Sequence, residues 1–491
     1  GMANLELGVP MRPEMVFEIG SVTKQFTSTA ILMLAEQGKL ALTDDVRKHL
    51  PDFPDKGATI TVEHLLTHTS GIPSYTGSEK WRPLWRKEMT PSEIIALTKD
   101  DPLEFTPGTR FEYNNTGYVM LGAIIERVSG MTYAEFITKN IFEPLGMKHS
   151  YYGSASAVIP NRAYGYSPRG ESYQNAEYLS MSQPYAAGSL MSTVDDLALW
   201  DAAVSAGKLI SKASWERAFT PYKLASGEST GYGYGWQTDA YDGHAIIRHN
   251  GGIFGYISEV ARLPRDGVYV VMLTNSDGPK ISTGYLTTLV VAAAIGKPYR
   301  EPVPATVDAT TLDAYTGVYR IDDKTERVVT RAGDQLVFQR TGRPKVPVLA
   351  ASKYEFYLPN TFTRFVFETD ASGRATRMVM KTADGTTEIA TRTDKPIPAE
   401  TAAIAVDPAV LEGYAGTYEL APGFAITITT EGGKLFGQAT GQPKFELFAK
   451  SDTEFFLKVV DAHVVFVRGA SGKAESLVLK QMGREIPGKR Q

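Results

Sequence analysis

The sequence has no cysteine, so disulfide bonds, thiolate metal ligands and cysteine nucleophiles are all excluded. It also lacks any run of eighteen apolar residues, about the length that a membrane-spanning helix needs, and any cluster of basic residues. Its 51 basic and 55 acidic side chains nearly balance and leave a net charge of −4. This charge pattern argues against nucleic acid and against an anionic membrane surface as the main partner.

What remains is the composition of an ordinary globular protein, with 43% hydrophobic and 22% charged residues. A chain of 491 residues is too long for one hydrophobic core, so we expect two or three domains. Gly1 ahead of Met2 is typical of an expression remnant, and a removed signal peptide would leave no trace. We expect a periplasmic or extracellular location; the composition fits the cytoplasm equally well.

Residues 17–37 hold the first candidates for chemistry. Ser21 and Lys24 stand three residues apart at the start of a predicted helix, so their side chains share one face. The residues that follow are apolar on most sides of this helix, which predicts its burial, and Gly38 is a suitable C-terminal cap. A buried lysine loses proton affinity and can then accept the proton of a serine nucleophile.

Tyr113 and Asn115 form a second motif, in the loop before another predicted helix. A tyrosine hydroxyl in such a loop can relay a proton, and an asparagine can hold a substrate amide through both its donor and its acceptor. A structural alternative stays open, in which Asn114 or Asn115 caps the helix and shapes the turn.

The third motif, His249-Asn250-Gly251-Gly252, ends a predicted strand. Such a strand can lie along a substrate backbone, with His249 supplying a charge or a hydrogen bond and the Gly252 N–H facing an oxyanion. A hairpin turn with a half-buried histidine fits the same residues.

The first 300 residues mix helical periodicity with a few late strands, which favours an α/β domain with an antiparallel sheet. Thr193 followed by Asp196 predicts a helix start, and Gly130 predicts a helix end. The predicted helices are 21–37, 91–99, 116–129, 132–141, 193–206 and 281–296, and the predicted strands are 245–248, 257–263 and 268–273.

Beyond a predicted linker at 298–311, the sequence repeats itself at a constant offset of 99 residues. Each copy alternates apolar and polar residues over many short segments, which predicts a small antiparallel barrel, since closure removes exposed strand edges. Residues 395–410 join the copies. The matched clusters are 312–319 with 411–418, 339–345 with 438–444, 355–358 with 454–457, and the turn 372–373 with 471–472.

In their order along the chain, Ser21-x-x-Lys24, Tyr113-x-Asn115 and His249-x-Gly251 resemble the three motifs of the penicillin-recognising serine hydrolases. This superfamily includes class C β-lactamases, D-Ala-D-Ala carboxypeptidases, D-aminopeptidases and related esterases. The similarity covers residues 3–295 and extends to the flanking segments 65–71, 142–147 and 187–197. It implies a β-lactamase-like catalytic domain, and the repeats resemble the two eight-stranded, lipocalin-like barrels that follow this domain in D-aminopeptidases.

The resemblance also implies a role for each motif residue, with no metal and no cofactor. Ser21 would attack a carbonyl carbon, while Lys24 and Tyr113 would act as a coupled pair that moves its proton. The residues that would contact the substrate or its oxyanion are Asn115, His249, Asn250, Gly251 and, through their backbone N–H groups, Ser21 and Gly252.

One departure bears on the substrate. His249 stands where the β-lactamases of the superfamily carry lysine, and the H-x-G form resembles some D,D-peptidases and the D-aminopeptidases. We therefore expect a serine hydrolase that acts through an acyl-enzyme on peptide or amide bonds next to D-amino acids, as a D-aminopeptidase or D,D-carboxypeptidase does, or on small esters. The alternative is a catalytically weak or inactive penicillin-binding-like protein that binds or senses cell-wall peptides.

A second departure concerns the sheet. Twenty residues precede Ser21, whereas relatives place roughly two further strands ahead of this point. We expect a sheet without those strands, whose edge is covered by another segment or by a second chain through self-association. The expected domains are 1–303 for the hydrolase and 312–394 and 411–491 for the barrels.

Three other motifs are interpreted as structural. Gly227-Glu-Ser-Thr-Gly231 has the form of a nucleophile elbow but lacks the flanking strand and helix, which predicts a loop. His64 and His68 have a zinc-binding spacing without the glutamate of H-E-x-x-H, which favours a role at a helix end. The aromatic run at 232–236 fits either the core or a wall of the site.

Overall fold

The chain divides into two compact units, residues 1–299 and 300–491. Parts of two matched clusters (441–443 and 471) and of the joining segment (399–402) lie outside the described residues. The computed structural model describes residues 1–154, 156–398, 403–421, 424–440, 444–458, 460, 462–469, 472–481 and 484–491.

The first unit combines helices with short antiparallel sheets. In its described part the helices are α1 (Thr23–Glu36), α2 (Val62–Leu66), α3 (Pro91–Ala96), α4 (Asn115–Ser129), α5 (Tyr133–Ile137), α6 (Glu143–Leu145), α7 (Val194–Ser205), α8 (Lys212–Phe219) and α9 (Thr283–Ala294). The strands are β1 (Met2–Asn4), β2 (Val9–Pro10), β3 (Phe17–Glu18), β4 (Tyr151–Tyr152), β5 (Tyr166–Arg169), β6 (Ser172–Asn175), β7 (Leu190–Ser192), β8 (Gln237–Tyr241), β9 (His244–Ile253), β10 (Tyr256–Leu263) and β11 (Val268–Thr274).

The central sheet of this unit is antiparallel, in the order β11-β10-β9-β8, and α7 and α9 pack against it. A second sheet has the order β3-β7-β4, and β5 pairs with β6. The α/β architecture with an antiparallel sheet that periodicity predicts is thus confirmed. Strands β1 and β2 pair with each other, so in the described chain β11 forms an edge of the central sheet. The cover expected over this edge stays a prediction.

All six predicted helices and all three predicted strands correspond to observed elements. Both predicted helix ends are confirmed: the Thr193 side chain accepts the Asp196 N–H at 3.1 Å, and Gly130 ends α4 with a φ of 71°. The elements that escaped prediction include α2, α8 and β8. These three have five, eight and five residues, too few for a periodic pattern to stand out.

Helix α1 lies in the core of the first unit, as its apolar surface predicts. Phe26, Ala30, Ile31 and Leu34 are fully buried, and the Phe26 ring stacks on Trp200 with 4.3 Å between centroids. Burial of Phe26, Ile31 and Leu34 contributes roughly 1.5–3 kcal/mol each, which fixes the helix that carries Lys24. Within the described residues, no helix combines the length and the apolar character needed to cross a bilayer.

The second unit contains two closed eight-stranded barrels, which confirms the fold predicted from the repeat. Helix α10 (Ala309–Tyr315) begins inside the predicted linker and precedes the first barrel; α11 (Pro408–Glu412) precedes the second. The first barrel comprises β12 (Gly317–Arg320), β13 (Glu326–Ala332), β14 (Gln335–Arg340), β15 (Lys345–Ala350), β16 (Glu355–Tyr357), β17 (Arg364–Thr369), β18 (Ala375–Lys381) and β19 (Thr387–Arg392). The second comprises β20 (Gly416–Ala421), β21 (Phe424–Glu431), β22 (Lys434–Ala439), β23 (Lys444–Ala449), β24 (Glu454–Phe456), β25 (Ala462–Arg468), β26 (Ala474–Gln481) and β27 (Arg484–Arg490).

An arginine on the last strand closes each barrel onto its preceding helix. Arg392 donates to the carbonyl oxygens of Ala314 at 2.8 Å and Ala375 at 3.2 Å, and also to that of Thr316. Arg490 makes the equivalent bonds in the second barrel. Arg392 pairs with Tyr319 and Arg490 with Tyr418, so equivalent positions on these last strands are 98 rather than 99 residues apart.

We predict that Arg392→Ala destabilises the first barrel by about 2–3 kcal/mol, because it leaves buried carbonyl groups without their charged donor. Amide hydrogen exchange followed by mass spectrometry should show peptides from 312–394 exchanging at least ~30-fold faster. The control is Arg377→Ala, which removes an exposed ion pair with Glu368 and should cost under about 1 kcal/mol. Equal protection in both variants would contradict a closing role for Arg392.

Candidate active site

Ser21 lies in a 3-10 turn, Gly20–Val22, that leads directly into α1. The turn meets β9 so closely that side chains are excluded from both sides. A Cβ on Gly251 would lie 2.1 Å from the Ile19 carbonyl oxygen, and a Cβ on Gly20 would lie 3.0 Å from the Gly252 nitrogen. The Ser258 hydroxyl on β10 also donates to Ile19 O at 2.7 Å. These contacts hold Ser21 beside the end of the third motif.

Lys24 is fully buried, and its Nζ lies among three oxygens. The distances are 3.1 Å to Ser21 Oγ, 2.9 Å to Asn115 Oδ1 and 2.8 Å to the Ala187 carbonyl oxygen. Burial holds the pKa of Lys24 well below its ordinary value, because the cation loses its hydration. A neutral amine has two N–H groups, which suit the two carbonyl acceptors, and a lone pair, which is then left for the Ser21 hydroxyl proton.

Tyr113 completes the polar group around Ser21. Its burial raises the pKa of the phenol, and hydrogen bonding with Ser21 opposes that rise. The Tyr113 hydroxyl meets no partner with full hydrogen-bond geometry, so its alignment with Ser21 is incomplete. Lys24 Nζ lies 4.7 Å from the Tyr113 ring centroid. The phenol is therefore protonated at neutral pH, and it lies beside both Ser21 and the Lys24 amine.

The two adjacent asparagines, Asn114 and Asn115, make different contacts: one caps a helix and the other faces the site. Asn114 is the N-cap of α4, since its Oδ1 accepts the Gly117 N–H at 2.7 Å. Asn115 turns toward the site, where its Oδ1 accepts from Lys24 and its Nδ2 donates to Thr76 Oγ1 at 3.2 Å. The capping interpretation holds for Asn114, and Asn115 contacts the lysine.

His249 is buried on β9 and hydrogen-bonded at both ring nitrogens. Nδ1 donates to the Asn250 carbonyl oxygen at 2.6 Å, and Nε2 accepts from the Tyr232 hydroxyl at 2.8 Å. Burial, together with the nearby Lys24, lowers the pKa of His249 to about 3. At neutral pH the ring is uncharged, so of the two contributions expected of His249, this geometry favours a hydrogen bond over a charge.

A cavity of about 330 Å³ opens next to Ser21. Asn115 and Gly252 line this cavity, whereas Asn250 lines a neighbouring cavity of about 510 Å³ beside β8. His249 is enclosed in the protein, and Gly251 packs on Ile19. The largest side chains around the Ser21 cavity are Tyr75, Trp81, Phe254 and Tyr256.

Four contributors to the site were missed by sequence reasoning. The Ala187 carbonyl oxygen accepts a hydrogen bond from Lys24, and Thr76 Oγ1 accepts one from Asn115. The Tyr232 hydroxyl donates one to His249. The His68 ring lies behind Tyr113, 4.3 Å between centroids, with its Nδ1 accepting the Asn114 N–H at 3.0 Å. The signals were indirect: His68 and Ala187 fall within the flanking segments 65–71 and 187–197, and Tyr232 belongs to the aromatic run at 232–236.

Of the motifs interpreted as structural, His68 and Tyr232 border the site, whereas the other residues do not line the Ser21 cavity. Ser229 is exposed in a loop, as predicted. His64 is part of a capping box at the start of α2, where its Nδ1 accepts the Thr61 N–H at 3.3 Å. Tyr234 and Trp236 belong to the hydrophobic core.

Comparison with known sequences adds the family. The β-lactamase family model matches residues 1–294, and the model of a domain of unknown function, DUF3471, matches 301–394 and 400–490. A penicillin-binding protein of Bacillus subtilis is 33% identical over 385 residues, which cover 73% of this chain and 84% of that protein. For several other curated relatives the chain spans about three fifths of their length.

Solved structures of penicillin-binding and amidase proteins are also similar to this chain. An octameric penicillin-binding protein homologue from Pyrococcus abyssi is 29% identical, with a TM-score of 0.55 over 80% of this chain and 92% of that one. The D-amino acid amidase of Ochrobactrum anthropi, solved with L-phenylalanine amide, is 27% identical, with a TM-score of 0.53 over 60% and 86%. Because its family model covers more than half of the sequence, the chain belongs to the β-lactamase family, within the penicillin-recognising serine hydrolases.

Proposed function

We propose that this protein is a serine hydrolase that forms an acyl-enzyme on Ser21 and cleaves amide or peptide bonds next to D-amino acids, with small esters as further substrates. The observation that carries the proposal is the 3.1 Å contact between Ser21 Oγ and the Nζ of a lysine that is fully buried. The likeness to a D-amino acid amidase and to a penicillin-binding protein supports an amide or peptide substrate.

In the proposed acylation, Ser21 Oγ bonds to the carbonyl carbon while its proton passes to the neutral Lys24 Nζ. The carbonyl oxygen becomes an oxyanion that faces the Ser21 and Gly252 N–H groups, each worth about 3 kcal/mol of barrier. The intermediate then expels the amine, which takes a proton from the coupled Lys24–Tyr113 pair. Water repeats these steps on the ester and releases the acid.

The walls of the Ser21 cavity support a preference within this class. Tyr75, Trp81 and Phe254 offer aromatic surface beside Ser21, which favours substrates with an apolar side chain next to the scissile bond. Asn115 would orient the substrate amide, and the β9 segment from His249 to Gly251 would lie along its backbone.

The remaining assignments are part of the same proposal. The hydrolase would span 1–303, and the barrels 312–394 and 411–491. A periplasmic or extracellular location is supported by the penicillin-binding relatives. Self-association through the β11 edge is also proposed, and light scattering of the eluted protein would measure it.

We predict that Ser21→Ala abolishes covalent labelling by a fluorophosphonate or a β-lactam, because Ser21 supplies the only proposed acylated oxygen. Intact mass should show one adduct on the wild-type protein and none on this variant. Ser229→Ala is the matched control, since it removes a serine in a G-x-S-x-G motif that lies in an exposed loop. An adduct that persists on Ser21→Ala would refute the assignment.

We predict turnover of D-alanyl p-nitroanilide in preference to its L-enantiomer, with p-nitrophenyl acetate also cleaved. Nitrocefin tests the β-lactam alternative in the same assay. Ser21→Ala should lower kcat/KM for every substrate by at least ~10³-fold. No turnover together with no acylation would favour a protein that binds cell-wall peptides.

The neutral state of Lys24 makes a separate prediction about stability. Its pKa is lowered on folding, so below the ordinary value of 10.5 the unfolded state binds a proton that the folded state does not. Stability therefore falls as the pH falls, by about 1.4 kcal/mol per pH unit, until the folded-state pKa is reached. Lys24→Met should abolish this slope, while Lys139→Met, at an exposed position, should keep it.

Urea unfolding between pH 9.5 and 7, followed by tryptophan fluorescence, measures this slope. All five tryptophans lie in the first unit, so the signal follows that unit. Parallel pH dependence in wild type and Lys24→Met would mean that Lys24 stays protonated when folded.

A further inference from the structure

The second barrel contains an apolar cavity of about 90 Å³. The cavity lies at the end of the barrel where β21, β23 and β25 begin and where β22 and β26 end. Its single polar side chain among the described lining is Gln481, the last residue of β26. The other lining residues are Phe424, Ile426, Gly437, Ala439, Phe445, Leu447, Leu457, Val460, Ala462, Val464 and Leu479.

At the opposite end, both barrels are filled in the same way. In the first, Tyr315 stacks on Phe367 at 4.5 Å between ring centroids. In the second, Tyr414 stacks on Phe466 at 4.3 Å. The two copies are thus alike at this end, and the differences that bear on the cavity lie at the other end.

The first difference is the loss of two aromatic rings. The strand registers make Phe338 equivalent to Gly437, and Phe365 equivalent to Val464. In the first barrel these two rings pack edge to face inside the lumen, 4.8 Å apart, and both are buried. Leu447 in place of Val348 refills only part of this space.

The second difference is the loss of a buried ion pair. Arg327 is 5% exposed, bonds Glu388 at 2.9 Å and lies 5.0 Å over the Phe365 ring. Its equivalent in the second barrel is Ile426, and that of Glu388 is Ile486, since Met380 pairs with Glu388 where Leu479 pairs with Ile486. The first lumen is thus filled by rings and charges, whereas the second is apolar and open.

An apolar cavity of this kind has no partners for water and accepts apolar guests. Its small volume and the single amide at one end match a narrow chain better than a bulky ring. We propose that the second barrel binds the alkyl end of a short-chain amphiphile, with the polar head toward Gln481. This site is independent of the chemistry at Ser21.

The full chain can be titrated with 1-hexanol and observed by saturation-transfer difference NMR. We expect saturable binding with the strongest transfer to the terminal methyl group. Hexane-1,6-diol should bind at least ~10-fold more weakly. Whichever end of the diol enters the cavity, it buries a hydroxyl group without a hydrogen-bond partner. No saturable binding of 1-hexanol to the wild-type chain would overturn the proposal.

Gly437→Phe combined with Leu447→Val restores the pair of residues found in the first barrel and should reduce hexanol binding at least ~10-fold. Val467→Leu adds a similar apolar group on the outside of the same barrel, at a residue 49% exposed, and should leave binding unchanged. Hydrogen exchange of peptides from 411–491 reports whether each variant folds. If the double variant does not fold, Val464→Phe can replace it in the test, because it introduces the other aromatic ring of the first barrel, that of Phe365. Full hexanol binding by a folded, filled variant would overturn the site.

Discussion

The site depends on the burial of one amine. Lys24 lies on a helix whose apolar side chains are packed in the core, so its Nζ has no route to solvent. Asn115 and the Ala187 carbonyl supply two acceptors, enough for the two N–H groups of a neutral amine. The third neighbour, the Ser21 hydroxyl, can accept a hydrogen bond from a protonated amine or donate one to a neutral amine, so the three contacts fit both states. Desolvation decides between them, and it favours a lysine that accepts a proton from Ser21.

A second constraint is steric, and it explains the glycine at position 251 of the third motif. The turn that carries Ser21 and the end of β9 approach until no Cβ fits on Gly20 or Gly251. This contact joins a helix near the start of the chain to a strand more than two hundred residues later, and it places the Gly252 N–H at the Ser21 cavity. His249 lies two residues before Gly251, as a neutral group that is hydrogen-bonded to the Tyr232 hydroxyl and to the Asn250 carbonyl oxygen. Where the β-lactamases of the superfamily carry lysine, this strand therefore holds an uncharged ring within a network of hydrogen bonds.

Sequence reasoning predicted the long elements and the three motifs because each has a local pattern. Helices such as α1 and α4 show their apolar stripes, and Ser21 and Lys24 share a face by helical geometry alone. Residue chemistry alone could not separate Asn114 from Asn115, since both fit a cap and carry the same amide. The motif Tyr113-x-Asn115 selected Asn115, and the course of the backbone makes this residue the one that faces Lys24. The Ala187 carbonyl was equally out of reach, because a main-chain acceptor leaves no residue type to recognise. The neutral state of His249 depends chiefly on its burial, which tertiary folding alone creates.

A comparison of the two barrels shows which contacts inside the lumen are common to both and which differ. In each, an arginine on the last strand donates to a carbonyl oxygen at the end of the preceding helix and to one on the neighbouring strand, and a tyrosine stacks on a phenylalanine at the same end of the lumen. Both copies share these contacts. The other end of the lumen contains neither of these contacts. There one copy has a buried arginine paired with a glutamate, and the other has two isoleucines at the equivalent places. A buried ion pair adds little net stability over apolar packing, so the fold tolerates either solution, and the lumen of the second copy is free to serve a ligand.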